Sequence, residues 1–336
     1  MEKTVQTNTL NESGEIQYFY FITLLRALAT IIITNAHYTG IYPSDIIANG
    51  GLLGDVLFFS VSGFCLANPK FSFKRWYLKR LWRIYIVVWL ITLVYWLLGA
   101  YEIQSFVEAV NSFIHPTRYH FIASITILYI PYYFAAKYIK NLGNCVWISI
   151  GLLSAQLVLY TTIYDKTYYH IDVVREPFIE FLFFQSMLLG LFFRSFYVKT
   201  SLCQNRFPGD KKWLILLLLL VIYFTSKMLF VKIPSISEFQ IINQIILFVT
   251  LLYLFRCAFT LEAKLKRISN TKLWSVVQFL ADHTLEIYCV QYVLIYRIRS
   301  LGLPFPLNWF VITISIFFSA FILRAVSRFI LKRAKV

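Results

Sequence analysis

Charged residues are scarce in this sequence, and acidic residues are the scarcer kind. Only 14% of the 336 residues are charged, with 16 Asp and Glu against 32 Lys and Arg. Soluble domains carry about 25% charged residues, so the composition excludes an ordinary soluble globular protein. The positive excess does not indicate a nucleic-acid binder, because the basic residues lie between apolar runs and not on one polar segment.

Cysteine offers neither a disulfide framework nor a metal site. No two cysteines form a CxxC pair, and none has neighbours at metal-ligand spacing. An unpaired cysteine is usually a small buried hydrophobe, so we predict free thiols and no bound metal. The five are Cys65, Cys145, Cys203, Cys257 and Cys289.

Long apolar runs are what the sequence has instead. Hydrophobic residues make up 59% of the chain, and each run approaches the ~20 residues that a helix needs to cross a bilayer. The runs predict an all-α, polytopic membrane protein with about ten transmembrane helices, the fourth kinked or broken at Pro131. The predicted spans are 17–37, 51–68, 83–99, 120–136, 144–162, 177–196, 213–230, 239–258, 275–296 and 306–327.

Basic residues are divided unevenly among the loops between these spans. Of the 32 Lys and Arg residues, 24 lie in or at the edge of one set of alternate polar segments and 7 in or at the edge of the other, with Arg26 well inside the first span. The positive-inside rule therefore predicts that both termini are cytoplasmic. We divide the chain into a flexible tail at 1–16, one membrane domain at 17–330 and a basic tail at 331–336, so any chemistry takes place at the bilayer.

The first predicted span carries an arginine and a histidine, in the segment LLRALATIIITNAH. Arg26 and His37 are eleven residues apart, which on a helix is three turns plus about 20°. The two side chains therefore share one face, roughly 16 Å apart along the axis, with Arg26 toward the cytoplasm. Buried arginine costs about 2.5–3.5 kcal/mol on insertion scales, which favours a cavity or pathway over a lipid-facing position. The alternative is that both are interfacial residues, with Arg26 snorkelling.

The second span begins with the segment GDVLFFSVSGF. Asp55 enters at a depth similar to that of His37, and a carboxylate beside an imidazole can fix its tautomer and raise its basicity. Alternatively, Asp55 caps the start of the helix. Ser62 and Gly63 can serve close helix packing.

A basic, aromatic segment, RWYLKRLWRIY, follows the second span. Arg80 and Arg83 are three residues apart and share a helix face. Two guanidinium groups at this spacing suit a phosphate-bearing ligand. Attraction to anionic lipid headgroups is the general alternative.

These segments together resemble acyltransferase family 3, the polytopic membrane O-acyltransferases of bacterial envelopes, over about residues 18–330. The Arg26–His37 spacing, GDVLFFSVSGF and the Arg80–Arg83 pair come first. A segment led by His120, FLFFQSMLLG ending at Gly190, and LADHTLEIYCVQ follow in order. Three departures stand out: the aspartate lies one place earlier than in GVDLFF, the tryptophan after the later histidine is missing, and Gln291 replaces a histidine.

The resemblance implies transfer of an acyl group, often acetyl, from cytoplasmic acyl-CoA to a sugar hydroxyl of an envelope polysaccharide, an exopolysaccharide or a lipid-linked precursor. It implies a multi-pass protein of the bacterial cytoplasmic membrane with no permanently bound cofactor. A homo-oligomer is left open. The acceptor sugar and the acyl group are not fixed by the sequence.

The resemblance also implies roles for single residues. His37 would be the general base, or the carrier of a covalent acyl group, with Asp55 orienting it. Intramembrane Glu180 would face the acceptor sugar or pair with a neighbouring helix. The same expectation, a role facing the substrate or a pair with a neighbouring helix, applies to Asp282, His283 and Glu286. The predicted substrate-binding residues are Arg26, Ser62, Arg80, Arg83, His120 and Glu180.

Two other functions are compatible with a polytopic chain of this kind. A transporter or flippase for a lipid-linked sugar would also place polar residues along one helix. Such a protein often has discontinuous helices and matched inverted halves, neither of which is evident in the sequence. A non-catalytic scaffold is disfavoured by the buried Arg26 and by the ordered set of motifs.

Overall fold

The computed structural model describes residues 8–10, 16–174, 176–197 and 211–334. Cys203 and part of each predicted tail lie outside these ranges.

The described chain is helical apart from its connections and one short antiparallel pair, β1 (Asn8–Leu10) with β2 (Ile16–Tyr18). The predicted all-α class is therefore confirmed. Short 3-10 turns lie at Thr117–Tyr119 and Pro234–Phe239, and a π turn at Phe193–Tyr197. The α-helices are α1 (Tyr20–Ala36), α2 (Gly51–Leu66), α3 (Phe73–Leu97), α4 (Phe106–Phe113), α5 (His120–Tyr138), α6 (Leu142–Thr162), α7 (Ile179–Phe192), α8 (Lys211–Lys232), α9 (Ile241–Thr260), α10 (Glu262–Ile268), α11 (Lys272–Asp282), α12 (Thr284–Arg299) and α13 (Leu307–Arg333).

Six helical segments of the described chain are long and apolar enough to cross a membrane. They are α3, α6, α7 with its π turn, α8, α9 and α13. Helices α1 and α2 are apolar but shorter, at 17 and 16 residues. A polytopic membrane protein is therefore established, while the total of about ten spans and the cytoplasmic placement of both termini stay predictions.

The predicted spans differ from the helices at three places. Helix α5 continues through Pro131, so of the predicted kink or break the break does not occur, while the kink stays a prediction. Helix α3 begins at Phe73 and not at residue 83, so the basic segment belongs to it. The ninth span is two helices, α11 and α12, which meet at His283.

Backbone hydrogen bonding nevertheless continues across the junction of α11 and α12. His283 N donates to Phe279 O at 3.0 Å, and Ile287 N donates to His283 O at 2.8 Å. Both bonds have the four-residue spacing of an α-helix. The junction is a local distortion and not the unwound segment that typifies many transporters.

The chain forms two compact units. The first unit comprises Met1–Leu25, Val56–Pro69 and Pro131–Ser275, and the second comprises Arg26–Asp55, Lys70–Ile130 and Val276–Val336. Helices α1, α2, α5 and α11 each contribute residues to both.

Close crossing of α2 and α7 organises the first unit. A Cβ at Gly63 would overlap the backbone of Met187, and a Cβ at Gly190 would overlap the backbone of Ser60 and Phe64. Only glycine permits this approach, which gives a packing reason for the glycines of SVSGF and FLFFQSMLLG. Nearby, the Tyr132 hydroxyl donates to Gly63 O at 2.5 Å.

Buried amides form a connected network in the first unit. Gln156 Nε2 donates to Gln244 Oε1 at 2.7 Å, and Gln185 Nε2 donates to Gln156 Oε1 at 3.0 Å. Gln244 Nε2 continues the chain to Ile171 O at 2.9 Å. Helices α6, α7 and α9 are thereby joined to one another and to the loop that precedes α7.

The amide of Gln240 fixes the same loop from a second position. Its Oε1 accepts from His170 N and Ile171 N at 2.9 and 3.0 Å, and its Nε2 donates to Tyr168 O at 2.9 Å. The His170 ring lies between the stacked rings of Tyr164 and Tyr168. His170 is therefore a packed, buried residue of this loop.

In the second unit, α12 and α13 pack against α3. The Tyr95 hydroxyl of α3 donates to Val290 O of α12 at 2.8 Å. Helix α1 approaches the start of α2 closely, since a Cβ at Gly54 would lie 2.6 Å from Ile33 Cγ1. These contacts fix the relative positions of the helices that carry the candidate site.

Candidate active site

Two polar contacts of equal sequence offset join α1 to α12. The hydroxyl of Thr30 donates to that of Thr284 at 2.9 Å, and Gln291 Nε2 lies 3.4 Å from His37 Nδ1. Both pairs are 254 residues apart, so the two segments run side by side in the same direction. Seven residues separate the contacts on each segment, which is two turns, or roughly 10 Å.

The ring of His37 caps the end of α1. Its Nδ1 lies 2.8 Å from Ile33 O, four residues back, and so donates to one of the carbonyls that a helix end leaves without a partner. A neutral imidazole that is protonated at Nδ1 carries a free electron pair on Nε2. The side chain is half-buried, and the geometry holds it in the tautomer that a general base at Nε2 requires.

Further hydrogen bonds anchor the segment that follows His37. The Tyr38 hydroxyl pairs with that of Thr313 at 2.9 Å, and Asn308 Nδ2 donates to Ile41 O at 3.1 Å. Both partners lie on α13. The histidine is therefore placed between two attached points, the Thr30–Thr284 contact before it and the α13 contacts after it.

Asp55 is buried close to this region, but it is not the capping residue of α2. The helix begins at Gly51, which places Asp55 in its second turn. No hydrogen bond joins Asp55 to His37 in the described parts of the chain, and its carboxylate interacts electrostatically with Tyr288. The orienting contacts of His37 come from Ile33 and Gln291, and a catalytic role for Asp55 stays a prediction.

Arg26 belongs to a charged cluster around Glu286. Glu286 is buried and forms an ion pair with Arg324 at 3.5 Å, and Arg324 also donates to Asp282 O. Arg26 and Arg328 both interact electrostatically with Glu286. Glu286 of span nine thus pairs with an arginine, and the cluster explains how a guanidinium is tolerated inside α1.

Arg80 and Arg83 both lie half-buried on α3, which confirms that they belong to one helix. The Arg80 guanidinium lies over the Trp76 ring, 5.7 Å from its centroid. Arg83 interacts electrostatically with Arg80 and Tyr129. Arg83 forms no ion pair with any carboxylate that the structure describes, so its charge is available to an anionic ligand.

The remaining predicted residues are divided between the two units. His120 is the half-buried first residue of α5, in the second unit. Ser62 on α2 and Glu180 in the first turn of α7 are half-buried in the first unit. Within the described residues, no group of three or more His, Cys, Asp and Glu could hold a metal ion, and the described cysteines are free thiols.

Sequence reasoning missed Gln291 as the neighbour of His37. The side chain is 1% exposed, and its Oε1 has no hydrogen-bond partner among the described residues. A glutamine cannot carry a proton between substrates, so its place at the end of LADHTLEIYCVQ did not indicate a site. The contact between Gln291 and His37 depends on how α1 and α12 pack side by side. It could not be inferred from the sequence of either segment alone.

Comparison with known proteins gives one result. A family model described as an acyltransferase domain matches residues 19–326. No curated protein and no solved structure matches the chain.

Proposed function

The chain belongs to acyltransferase family 3, and we propose that it is an O-acyltransferase of the bacterial cytoplasmic membrane. In this proposal it moves an acyl group, most simply acetyl, from cytoplasmic acyl-CoA to a sugar hydroxyl. The acceptor is an envelope polysaccharide, an exopolysaccharide or its lipid-linked precursor. Both termini are cytoplasmic, as the distribution of basic residues favours.

The observation that carries the proposal is the geometry of His37. Its Nδ1 donates to Ile33 O at 2.8 Å, which supports a basic Nε2 in a family of acyltransferases. Nε2 takes the proton of the acceptor hydroxyl while the hydroxyl oxygen attacks the thioester carbonyl carbon. When the carbon–sulfur bond breaks, the same proton passes to the departing thiolate, so the histidine is restored.

A two-step route through acyl-His37 uses the same nitrogen as the nucleophile. The hydroxyl would then attack the acyl-imidazole in a second step. Both routes need Nε2 without a proton at the start. Detection of acyl-His37 in the absence of acceptor would select the two-step route.

The donor's phosphates are proposed to bind beside Arg80 and Arg83. Arg83 is suited to this because it has no carboxylate partner among the described residues, and a phosphate can accept two bonds from one guanidinium. Arg26, beside Glu286, adds positive charge farther along the same unit. Ser62, His120 and Glu180 are proposed as further substrate contacts, and Asp55 as a group that supports His37.

The direct test supplies purified protein in lipid vesicles with acetyl-CoA labelled in the acetyl group and with lipid-linked oligosaccharide as acceptor. We expect label in the saccharide, released by mild alkali as an ester would be. Empty vesicles serve as the control. Movement of the oligosaccharide across the vesicle membrane without any label in it would contradict the proposal and support a transporter.

A further inference from the structure

The carboxamide of Gln291 has one end that the protein does not satisfy. Gln291 is 1% exposed, and its Oε1 is buried with no hydrogen-bond partner among the described residues. Buried polar groups in proteins nearly always have a partner, so such an end requires an explanation. The hydroxyl of Thr34, three residues before His37, is buried and unsatisfied in the same way.

The proton on His37 Nδ1 determines which end of the Gln291 carboxamide faces the imidazole. Nδ1 must carry the proton that it donates to Ile33 O at 2.8 Å. A protonated Nδ1 cannot accept from Gln291 Nε2, which lies 3.4 Å away. A half-turn of the carboxamide exchanges its oxygen and nitrogen and turns this contact into a favourable one. Oε1 then accepts a share of the Nδ1 proton, and the amino group takes the unsatisfied position.

We propose that Gln291 is a catalytic residue whose amino group donates to the carbonyl oxygen of the acyl group during transfer. This rests on the proposed function, since it needs an acyl group held beside His37. Oε1 holds the imidazole from one side, while Nε2 supplies a hydrogen bond to the substrate. One side chain thus connects the base to the atom on which charge develops.

The step balances without any further reactant. The hydroxyl oxygen forms a bond to the thioester carbon, its proton moves to His37 Nε2, and the π pair of the carbonyl moves onto the carbonyl oxygen. Gln291 Nε2–H stabilises that oxyanion. On collapse the pair re-forms the C=O bond, the carbon–sulfur bond breaks, and the proton passes from His37 to sulfur.

The burial of Gln291 strengthens its hydrogen bond to a developing oxyanion. A donor that is fixed in a water-excluded site need not reorganise when charge appears, so it acts more strongly than a donor in water. Removal of one donor of this kind typically reduces kcat by about 10²–10³. A residue that bound the substrate and the transition state equally would change KM and leave kcat unchanged when it is removed.

The main test compares Gln291→Met, which keeps the length and apolar body of the side chain, with the wild type. We expect kcat for acetyl transfer to fall about 10²-fold with the KM for acetyl-CoA nearly unchanged. Gln291→His, which restores an N–H donor, should recover part of the rate. Gln291→Glu should lose rate relative to the wild type as pH rises, because an ionised carboxylate has no proton to donate.

A spectroscopic measurement tests the hydrogen bond without turnover. The probe is a ketone analogue of acetyl-CoA, with a methylene between sulfur and a ¹³C-labelled acetyl carbonyl. Its bound C=O band should lie at lower frequency in the wild type than in Gln291→Met, since a donated hydrogen bond weakens that stretch. Unfolding midpoints in detergent show whether each variant is folded.

The outcomes separate the two proposals. A wild type that transfers acetyl, with Gln291→Met equal to it in both kcat and carbonyl frequency, overturns the role of Gln291 alone. A wild type that transfers nothing overturns the proposed function, and the carbonyl band then still decides whether Gln291 contacts the acyl oxygen. A change confined to KM also overturns the role.

Discussion

The first unit satisfies its buried amides internally, whereas the second unit does not. Gln156, Gln185 and Gln244 bond to one another, and Gln240 uses both ends of its carboxamide on the loop before α7. Gln291 in the second unit is equally buried, yet one end has no partner among the described residues. The same residue type therefore serves architecture in one unit and marks a candidate site in the other.

The difference has a physical basis. A buried amide with all its bonds made rigidifies the helices that carry it, and an unmade bond costs about 1–3 kcal/mol. That cost is acceptable where a substrate completes the bond. We therefore expect substitutions of the bonded amides and crossing glycines of the first unit to alter stability, and substitutions around His37 to alter chemistry. Four substitutions, ordered by expected effect, sharpen or break this contrast.

The largest effect is expected from Gly190→Leu. The new side chain would overlap the backbone of Ser60 and Phe64 where α7 crosses α2, and backbone cannot move aside as a side chain can. Overpacking typically costs about 1–3 kcal/mol and here should exceed that, with little folded protein in the membrane. Gly151→Leu on α6, which meets nothing within 4 Å, is the control. Normal yield of the Gly190→Leu protein would contradict the close crossing.

Arg83→Ala should weaken donor binding with little effect on the fold. Loss of a charge-assisted hydrogen bond to phosphate is worth about 1.5–3 kcal/mol, which predicts a rise in the KM for acyl-CoA of about tenfold to a hundredfold. Arg75→Ala, at an exposed position of the same helix, removes equal charge and should bind normally. A rise confined to the KM of the acceptor would refute the donor role of Arg83.

Gln156→Leu should lower stability and spare catalysis. It leaves Gln244 Oε1 and Gln185 Nε2 without their bonds of 2.7 and 3.0 Å, at a cost of about 1–3 kcal/mol. The unfolding midpoint should fall, while kcat per folded molecule stays at the wild-type value. Ser154→Leu, exposed on the same helix, is the matched control. A fall in kcat with an unchanged midpoint would reverse the roles of the two units.

The smallest effect concerns Glu262, which caps α1 by accepting from Tyr20 N at 3.1 Å and Phe21 N at 2.8 Å. Burial raises the pKa of the Glu262 carboxyl, and the two backbone bonds oppose that rise. The native state then binds this proton more tightly than the unfolded chain does. Its contribution to the free energy of unfolding is therefore largest at low pH and is lost as pH rises through the carboxyl range.

Glu262→Gln keeps an acceptor for the cap but cannot titrate. Its unfolding midpoint in detergent should vary less with pH than that of the wild type over about pH 4–8. Acyl transfer at neutral pH should be unchanged, because Glu262 bonds to the backbone at the start of α1 and is not among the proposed catalytic or substrate-binding residues. If the unfolding midpoints of the two proteins vary with pH in the same way, protonation of Glu262 does not contribute to stability and the prediction is wrong.

The helical class and the membrane setting follow from the apolar runs, since spanning segments must satisfy their backbone within one helix. The spacing of Arg26 and His37 likewise predicts that both lie on one face, and in the structure each interacts with a residue of α12, Arg26 with Glu286 and His37 with Gln291. The contacts between helices that are distant in the sequence could not be predicted. Neither the Gln291–His37 contact nor the Glu286–Arg324 ion pair has a local signal, because each depends on the register of two separate helices.

Helix boundaries in the polar segments were also hard to predict. A span predicted from hydropathy starts where the charged residues end. The charged first turns of α3 were therefore assigned to a loop, although they are helical. Pro131 was expected to kink or break α5, yet the helix continues through it, because membrane helices often tolerate proline. Short amphipathic helices such as α4 lie below the length that a span requires.

The central claim is that His37 carries the chemistry, and His37→Ala tests it most directly. The measurement is acetyl transfer from acetyl-CoA at matched abundance of folded protein, with His115→Ala, an exposed histidine of the same unit, as the control. We predict that His37→Ala loses a factor of about 10²–10⁴ in kcat while binding of acetyl-CoA survives and His115→Ala keeps wild-type activity. Near-normal transfer by the His37→Ala protein would contradict the account.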